Sequence, residues 1–375
     1  MTTAPLPRGI IKRAPEDFVV EEIPAYEACG EGPHVFVRFT KRGLTTDVAL
    51  RALASALGAD PREAGIAGMK DKWAVTTQTV SLQTPRGETS IALAERAARV
   101  AIAGVTIHDA KPHTNKLKPG HLVGNRFKIA VHGIPRDAVA SVTVSLERVA
   151  REGIPNAFGG QRFGRGGDNA ARAKAWLGPE GRRDQAPRDP RMRRLLWSSL
   201  QSEIFNAVLA ARVDDGTWAT PLEGDLLKRR TSGGLFVCAN VQEDRARAVE
   251  GEVSPTGPIL GVKMRAPEGA PGELERAISA RLLGEGFDLA ATRRLGEGSR
   301  RGLRLWVEEL AVEPLKGSAG GGAQEEDASL RVYFVLPKGA YATTVLAAAV
   351  ALEETPHHDD PSIPSDEAHD PPADD

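Results

Sequence analysis

Ala67-Gly68-Met69-Lys70-Asp71-Lys72-Trp73-Ala74-Val75-Thr76-Thr77-Gln78 sets one carboxylate between two lysines, after a glycine and before an aromatic residue. Flanking cations favour the ionised form of Asp71, which suits an anionic nucleophile or base rather than a neutral acid. Gly68 permits close approach of backbone or ligand, and Trp73 offers a face to a base or a sugar. Taken alone, Lys-Asp-Lys also reads as a solvated turn. The rest of the chain has to decide between the two.

At 375 residues there is room for two domains and a sizeable core. A chain that is 41% apolar and 26% charged has the make-up of a soluble globular protein. Cys29 and Cys238 stand too far apart for a disulfide framework or a metal finger. No apolar run follows a basic start and no stretch approaches a membrane span, so a reduced, cytoplasmic protein is expected. The net charge of −1 is unevenly spread. Residues 353–375 hold nine acids and no Lys or Arg, which leaves residues 1–352 at about +8. That tail is too poor in apolar residues to fold and is expected to be disordered. The basic remainder suits an anionic partner.

The basic residues are concentrated. Arg162, Arg165, Arg172, Lys174, Arg182, Arg183, Arg188, Arg191, Arg193 and Arg194 face only four acids over residues 162–194, with Trp176 and Trp197 in or beside the stretch. A second group follows in Arg293, Arg294, Arg300, Arg301 and Arg304. Basic clusters with interleaved aromatics suit a phosphate backbone with stacked bases, and the plainer alternative is a solubilising surface.

Alternation of Val35, Val37 and Phe39 predicts a half-buried strand from His34 to Lys41. Thr46 is expected to cap a helix with Leu50, Leu53 and Leu57 on one face, stopped by Gly58. Arg126 to Val131 reads as another strand. Ser198-Ser199-Leu200-Gln201 reads as a capping box opening a helix that buries Leu200, Ile204, Phe205, Val208 and Leu209. Val332, Phe334 and Leu336 alternate before Pro337, and an apolar helix is expected from about Tyr341 to Leu352. Gly317 to Gly322 reads as a flexible insertion. Strands and helices mix without regular βαβ spacing, which predicts an α+β fold with an antiparallel sheet. No Walker loop, Rossmann fingerprint or His-Glu-x-x-His helix is present.

Five segments acquire meaning together: Lys12-Arg13-Ala14-Pro15-Glu16-Asp17-Phe18-Val19-Val20-Glu21-Glu22; the Asp71 stretch; His113-Thr114-Asn115-Lys116-Leu117 with Gly124-Asn125-Arg126-Phe127; Asn156-Ala157-Phe158-Gly159-Gly160-Gln161-Arg162-Phe163-Gly164; and Leu336-Pro337-Lys338-Gly339-Ala340-Tyr341-Ala342-Thr343-Thr344. In order and wording they closely resemble the TruD-type tRNA pseudouridine synthases, from about Gly9 to Leu352. The resemblance implies a discontinuous pseudouridine-synthase catalytic domain, residues 1–153 and 306–352, built α+β around a central antiparallel sheet. It is interrupted by a basic, RNA-contacting α/β insertion, residues 154–305, with the cleft between the two. Residues 353–375 form the tail.

By the same resemblance the substrate is tRNA, at uridine 13 of the D-arm in, for example, the glutamate tRNA. Asp71 matches the family's catalytic aspartate. Phe18, Asn125 and Tyr341 match positions lining the uridine pocket, Phe127 is expected as a pocket wall, and Lys12 and Glu22 as ion-pair partners near Asp71. The target nucleotide has to be flipped to reach a buried carboxylate. Lys70, Lys72, His113, Lys116, Arg162, Arg191, Arg193 and Arg194 are the candidates for RNA contact. Breaking N1–C1′ and rejoining the base through C5 needs no metal, redox cofactor or group donor, and attack on the sugar, attack on the base and a glycal route all stay open. A monomer with no obligate protein partner and no membrane association is expected.

The chain departs from the family pattern at Ala157, where an aromatic residue is common, which makes Phe158 the aromatic contact to expect. Thr114 and Asn115 replace residues that are often basic, and Tyr341 stands where some members carry Phe. Two other functions compete. An RNA-binding protein without catalysis would not need a carboxylate facing a polyanion. A glycoside-type hydrolase would want a second carboxylate at a defined distance, for which only Glu16, Asp17 and Glu22 are in view.

Overall fold

The computed structural model describes residues 5–164, 166–315 and 327–355. The chain divides into two units, Met1–Glu147 with Val307–Asp375, and Arg148–Trp306. Among the described residues no helix is long and apolar enough to cross a membrane.

The first unit is organised by one mixed sheet. Its strands are β1 (Arg8–Ile11), β2 (Phe18–Pro24), β3 (His34–Arg42), β4 (Gly65–Ile66), β5 (Val75–Gln83), β6 (Val105–His113), β7 (Leu122–Pro135), β8 (Glu308–Pro314), β9 (Asp327–Pro337) and β10 (Ala351–Glu354). The main order is β8-β9-β7-β2-β5-β3-β6, with β1 joined to β7 and β10, and β4 joined to β5. Pairing is antiparallel except for β2 with β5 and β1 with β10. The sheet is therefore mixed rather than wholly antiparallel. Between β2 and β5 the chain makes β3, a helix and β4, a connection long enough for the crossover that parallel pairing requires.

Register decides which side chains meet. Lys41 pairs with Thr76, Thr76 with Val20, Val20 with Phe127 and Phe127 with Phe334, a row across five strands. Side chains alternate faces, so Glu22, Asn125 and Leu336, each two residues along, share that face. Helix α1 (Thr46–Ala56) covers part of it and buries Ala49, Leu50, Leu53 and Ala54 against Val37, Phe39, Val80 and Leu82. Each fully buried Leu or Phe contributes about 1.5–3 kcal/mol by leaving water. Gly124 is required beside Asn125: a Cβ there would come within 2.2 Å of the Leu336 carbonyl oxygen on β9.

Four local expectations are corrected. The cap of α1 is Thr45, whose hydroxyl accepts from the Val48 amide, while the Thr46 hydroxyl turns inward to donate to Gln78 Oε1. The helix placed at Ser198 begins earlier and runs Pro190–Asp214, because Asp189 caps the Arg191 amide and Pro190 suits the first helical position. Between Tyr341 and Leu352 only Ala342–Leu346 is helical, and the chain then becomes β10 because the β1 edge offers it a ladder. Glu353 and Glu354, expected in the tail, lie in that strand, and Glu353 accepts from Arg8 at 2.6 Å. Tail residues 356–375 and the segment Gly317 to Gly322 lie outside the described residues.

In the second unit the helix Pro190–Asp214 packs Trp197, Leu200 and Ile204 with Ala170 and Ala173 of the helix Asn169–Leu177, and Phe205 and Leu209 with Ile259 of a four-stranded sheet containing Val253–Ile259. Two of its arginines are internal ties. Arg212 pairs with Asp225 at 3.0 Å and Arg300 with Glu275 at 2.6 Å, all buried.

Candidate active site

The Asp71 segment joins β4 to β5 and is pinned at several points. The Gly120 amide donates to the Ala67 carbonyl at 2.8 Å, the Lys70 amide to the Thr46 hydroxyl at 2.9 Å, and Lys41 Nζ to the Asp71 carbonyl at 2.7 Å. These anchors fix the backbone while leaving the carboxylate outward. The Asp71 side chain is 48% exposed, which corrects the expectation of a buried carboxylate.

Lys70, its neighbour in sequence, is engaged elsewhere. Lys70 turns into the sheet, where Nζ lies 3.0 Å from Glu22 Oε2 and donates to Asn125 Oδ1 at 2.9 Å. Glu22 Oε1 accepts the Thr79 amide at 3.2 Å. Lys12 lies beside the carboxylate, 3.9 Å from Asp71 Oδ2 and 3.3 Å from Glu354 Oε1. Lys12 has a left-handed backbone, φ 58°, which costs about 1–2 kcal/mol in an L-residue. Trp73 helps to hold it, its indole donating to the Lys12 carbonyl at 3.1 Å. In sequence Trp73 reads as a stacking face; in the fold it works as a strut.

Beneath this group is an aromatic floor. Phe18 meets Phe127 edge-on at 6.3 Å, Phe127 stacks on Phe334 at 5.3 Å, and all three rings are buried. Lys12 Nζ sits over the Phe18 ring at 4.8 Å. Asn125 is half-buried beside them. Because an ammonium only donates, Lys70 fixes the Asn125 carbonyl toward itself and leaves the amide NH₂ as the group Asn125 offers elsewhere. Tyr341, half-buried, follows the β9 end, where Leu336 pairs with Asn125 and Pro337 with Gly124. Lys12, Phe18, Glu22, Asp71, Asn125 and Phe127 are thus joined through one contact network.

The RNA-contact candidates fare differently. Lys70 is taken by the buried pair with Glu22. His113 is buried between Tyr26 and Phe36, its Nδ1 accepts the Cys29 amide at 3.2 Å, and desolvation lowers its pKa, so it brings neither exposure nor charge to a phosphate. Lys72 is half-buried, and Lys116 lies 3.7 Å from Glu63. In the second unit Arg162 donates to Ser198 and Ser202, Arg193 donates to the Pro187 carbonyl, and Arg191 and Arg194 are exposed. Phe158 packs edge-on against Phe205 at 5.4 Å with Arg301 over its ring at 4.2 Å, so it serves that unit's interior rather than standing out as an aromatic contact. Arg304 is buried over Trp306 at 3.5 Å, and desolvation lowers its pKa to about 10.

Sequence reading missed Lys41, Thr46, Glu354 and Phe334 as neighbours of this network. Lys41 had a signal: it is the next position on the buried face after Val35, Val37 and Phe39. Glu354 had none, because its approach to Lys12 depends on the β1–β10 pairing. Among the described residues no group of three or more His, Cys, Asp or Glu is placed to hold a metal ion. The arrangement presents two accessible carboxylates, Asp71 and Glu354, beside one ammonium, and Asp71 is the one pinned through its own carbonyl beside apolar rings and an amide of fixed orientation. That carboxylate can act as a nucleophile or a base.

Comparison with known proteins gives this geometry a family. Residues 1–170 and 187–348 match the sequence model of tRNA pseudouridine synthase D (TruD). The chain is 44% identical over 356 residues to tRNA pseudouridine synthase D of Anaeromyxobacter sp. strain Fw109-5, covering 92% of this chain and 94% of that protein. It is 37% identical over 361 residues to the Thermus thermophilus protein of the same name, covering 96% and 93%. A crystal structure of the putative TruD of Methanosarcina mazei superposes with a TM-score of 0.72 at 23% identity, covering 93% of this chain and 95% of that one, a likeness of fold. The chain belongs to the TruD family of tRNA pseudouridine synthases.

Proposed function

We propose that the protein isomerises uridine to pseudouridine in tRNA, at position 13 of the D-arm, with Asp71 as nucleophile or base on a flipped-out nucleotide. The observation that carries the reading is the Asp71 carboxylate, accessible yet pinned through its own carbonyl, with Lys12 3.9 Å away. In the reaction the N1–C1′ bond breaks, the base turns, C5 bonds to C1′, the C5 proton leaves and N1 gains one. Nothing is added or lost overall, so a carboxylate and a pocket that holds the free base suffice.

Each neighbour then has a task. Lys12 sets a positive charge 3.9 Å from the Asp71 carboxylate. The Asn125 amide NH₂ donates to a uracil carbonyl oxygen, an orientation supported by the Lys70 bond. Phe18 and Phe127 form the apolar floor, and Tyr341 packs against the base. The unit containing the large sheet carries the chemistry. The unit Arg148–Trp306 contacts RNA, with exposed Arg191 and Arg194 on phosphates. The test is to incubate a glutamate tRNA transcript with the enzyme and map pseudouridine at nucleotide resolution. Modification at uridine 13, lost when that uridine is replaced by cytidine, is the expected result; modification elsewhere refutes the positional claim.

A further inference from the structure

Lys41 is a charged residue where the strand pattern calls for an apolar one. It follows Val35, Val37 and Phe39 on the covered face of β3 and is fully buried. Burying an ammonium is unfavourable unless acceptors replace water, and here two do: the Leu44 carbonyl at 2.6 Å and the Asp71 carbonyl at 2.7 Å. Leu44 leads directly into α1, whose Thr46 hydroxyl accepts the Lys70 amide. The backbone on both sides of the Lys70–Asp71 peptide is therefore tied to the β3–α1 corner, and Lys41 supplies the tie on Asp71 itself.

We propose that Lys41 is a positioning residue for Asp71, gripping its carbonyl from beneath the segment and placing a buried positive charge under the carboxylate. This rests on the reading of Asp71 as the group that attacks the substrate. With the carbonyl held, the carboxylate keeps only its side-chain rotations, and Lys12 stands at its oxygen. A methionine at 41 would fill similar space and fit the apolar pattern, but it would hold neither carbonyl.

Proton loss from Lys41 is within reach of ordinary assays. Burial pushes its pKa down to about 8; Asp71 favours the charged form and Lys70 opposes it. Its row neighbours on β5 and β2, Thr76 and Val20, do not titrate. Above that pH the neutral amine grips less strongly and the charge under Asp71 is gone. Because Lys41 is depressed relative to the unfolded chain, its contribution to folding improves over the same range, so a falling rate would not reflect unfolding from this group.

The experiment is single-turnover release of tritium from 5-tritiated uridine in tRNA, at saturating enzyme, from about pH 6 to about pH 9.5. Wild type, Lys41→Met, Lys41→Arg and Asp71→Asn are compared, and folding is checked by circular dichroism. Lys41→Met should be slower by about 10²-fold at neutral pH, the scale of a misplacement of about 1 Å, with tRNA affinity near wild type and no decline centred near pH 8. Wild type should show that decline, and Lys41→Arg, which stays charged, should recover part of the rate and move the decline upward. A folded Lys41→Met variant with the wild-type rate overturns the proposal, as does a wild-type profile flat across the range. If Lys41→Met does not fold, an identical decline in wild type and Lys41→Arg overturns it. An active Asp71→Asn variant would remove the underlying reading; an inactive one beside a wild-type-like Lys41→Met removes only this inference.

Discussion

Replacing Lys70 by methionine should destabilise the protein far more than a surface lysine would. The Lys70 and Glu22 side chains are 6% and 2% exposed, with Nζ and Oε2 3.0 Å apart. At an effective dielectric of about 20 their gross attraction is about 5 kcal/mol, and desolvation of both groups offsets most of it. The intact pair therefore adds little net stability, but removing one partner strands the other charge in the sheet, which costs about 3–5 kcal/mol. Replacing both by methionine removes the stranded charge and leaves the Thr79 amide without its Glu22 acceptor, a cost of about 1–3 kcal/mol. The double variant should thus be more stable than Lys70→Met alone. Urea unfolding followed by circular dichroism measures this as shifts in midpoint at constant m-value. A Lys70→Met variant within about 1 kcal/mol of wild type, or a double variant weaker than the single one, would refute the buried pair as described.

Two further outcomes follow from the same physics. Lys41→Met should be stabilising relative to wild type in the folding term that titrates: below about pH 8 the buried ammonium costs about 3 kcal/mol, and the cost is relieved as pH rises toward 10.5, where the unfolded lysine also deprotonates. The difference between wild-type and variant unfolding free energies, measured against pH, should shift in favour of wild type across that window; a constant difference would mean Lys41 is not depressed. Neutralising Arg191 and Arg194 together should weaken tRNA binding and flatten its log–log salt slope by about two units, with an unchanged slope placing them away from RNA.

How far the sequence carried depended on the range of the interaction. Alternation at Val35, Val37 and Phe39, and at Val332, Phe334 and Leu336, located two central strands because a half-buried strand writes its own period. Boundaries failed where a competing local signal was stronger, as at Asp189-Pro190, or where tertiary pairing captured the chain, as at β10. The motif stretches led to Lys12, Phe18, Glu22, Asp71, Asn125 and Phe127, which the fold joins in one network. They did not reveal that Lys70 turns away from Asp71 toward Glu22, since that depends on β2 and β7 lying side by side. Composition was the weakest guide. The clustered arginines looked alike in sequence, yet Arg300 and Arg304 are interior, Arg162 and Arg193 hold local structure, and Arg191 and Arg194 face solvent.

Asp71 is the carboxylate proposed to perform the isomerisation. Asp71→Asn keeps the size and the backbone grip of Lys41 while removing the charge. The measurement is tritium release from 5-tritiated uridine in tRNA, with tRNA affinity determined on the same preparation. The expected result is no release above background and an affinity within about tenfold of wild type, because the interaction lost is one made in the reaction rather than in binding. Sustained turnover by the asparagine variant would contradict it.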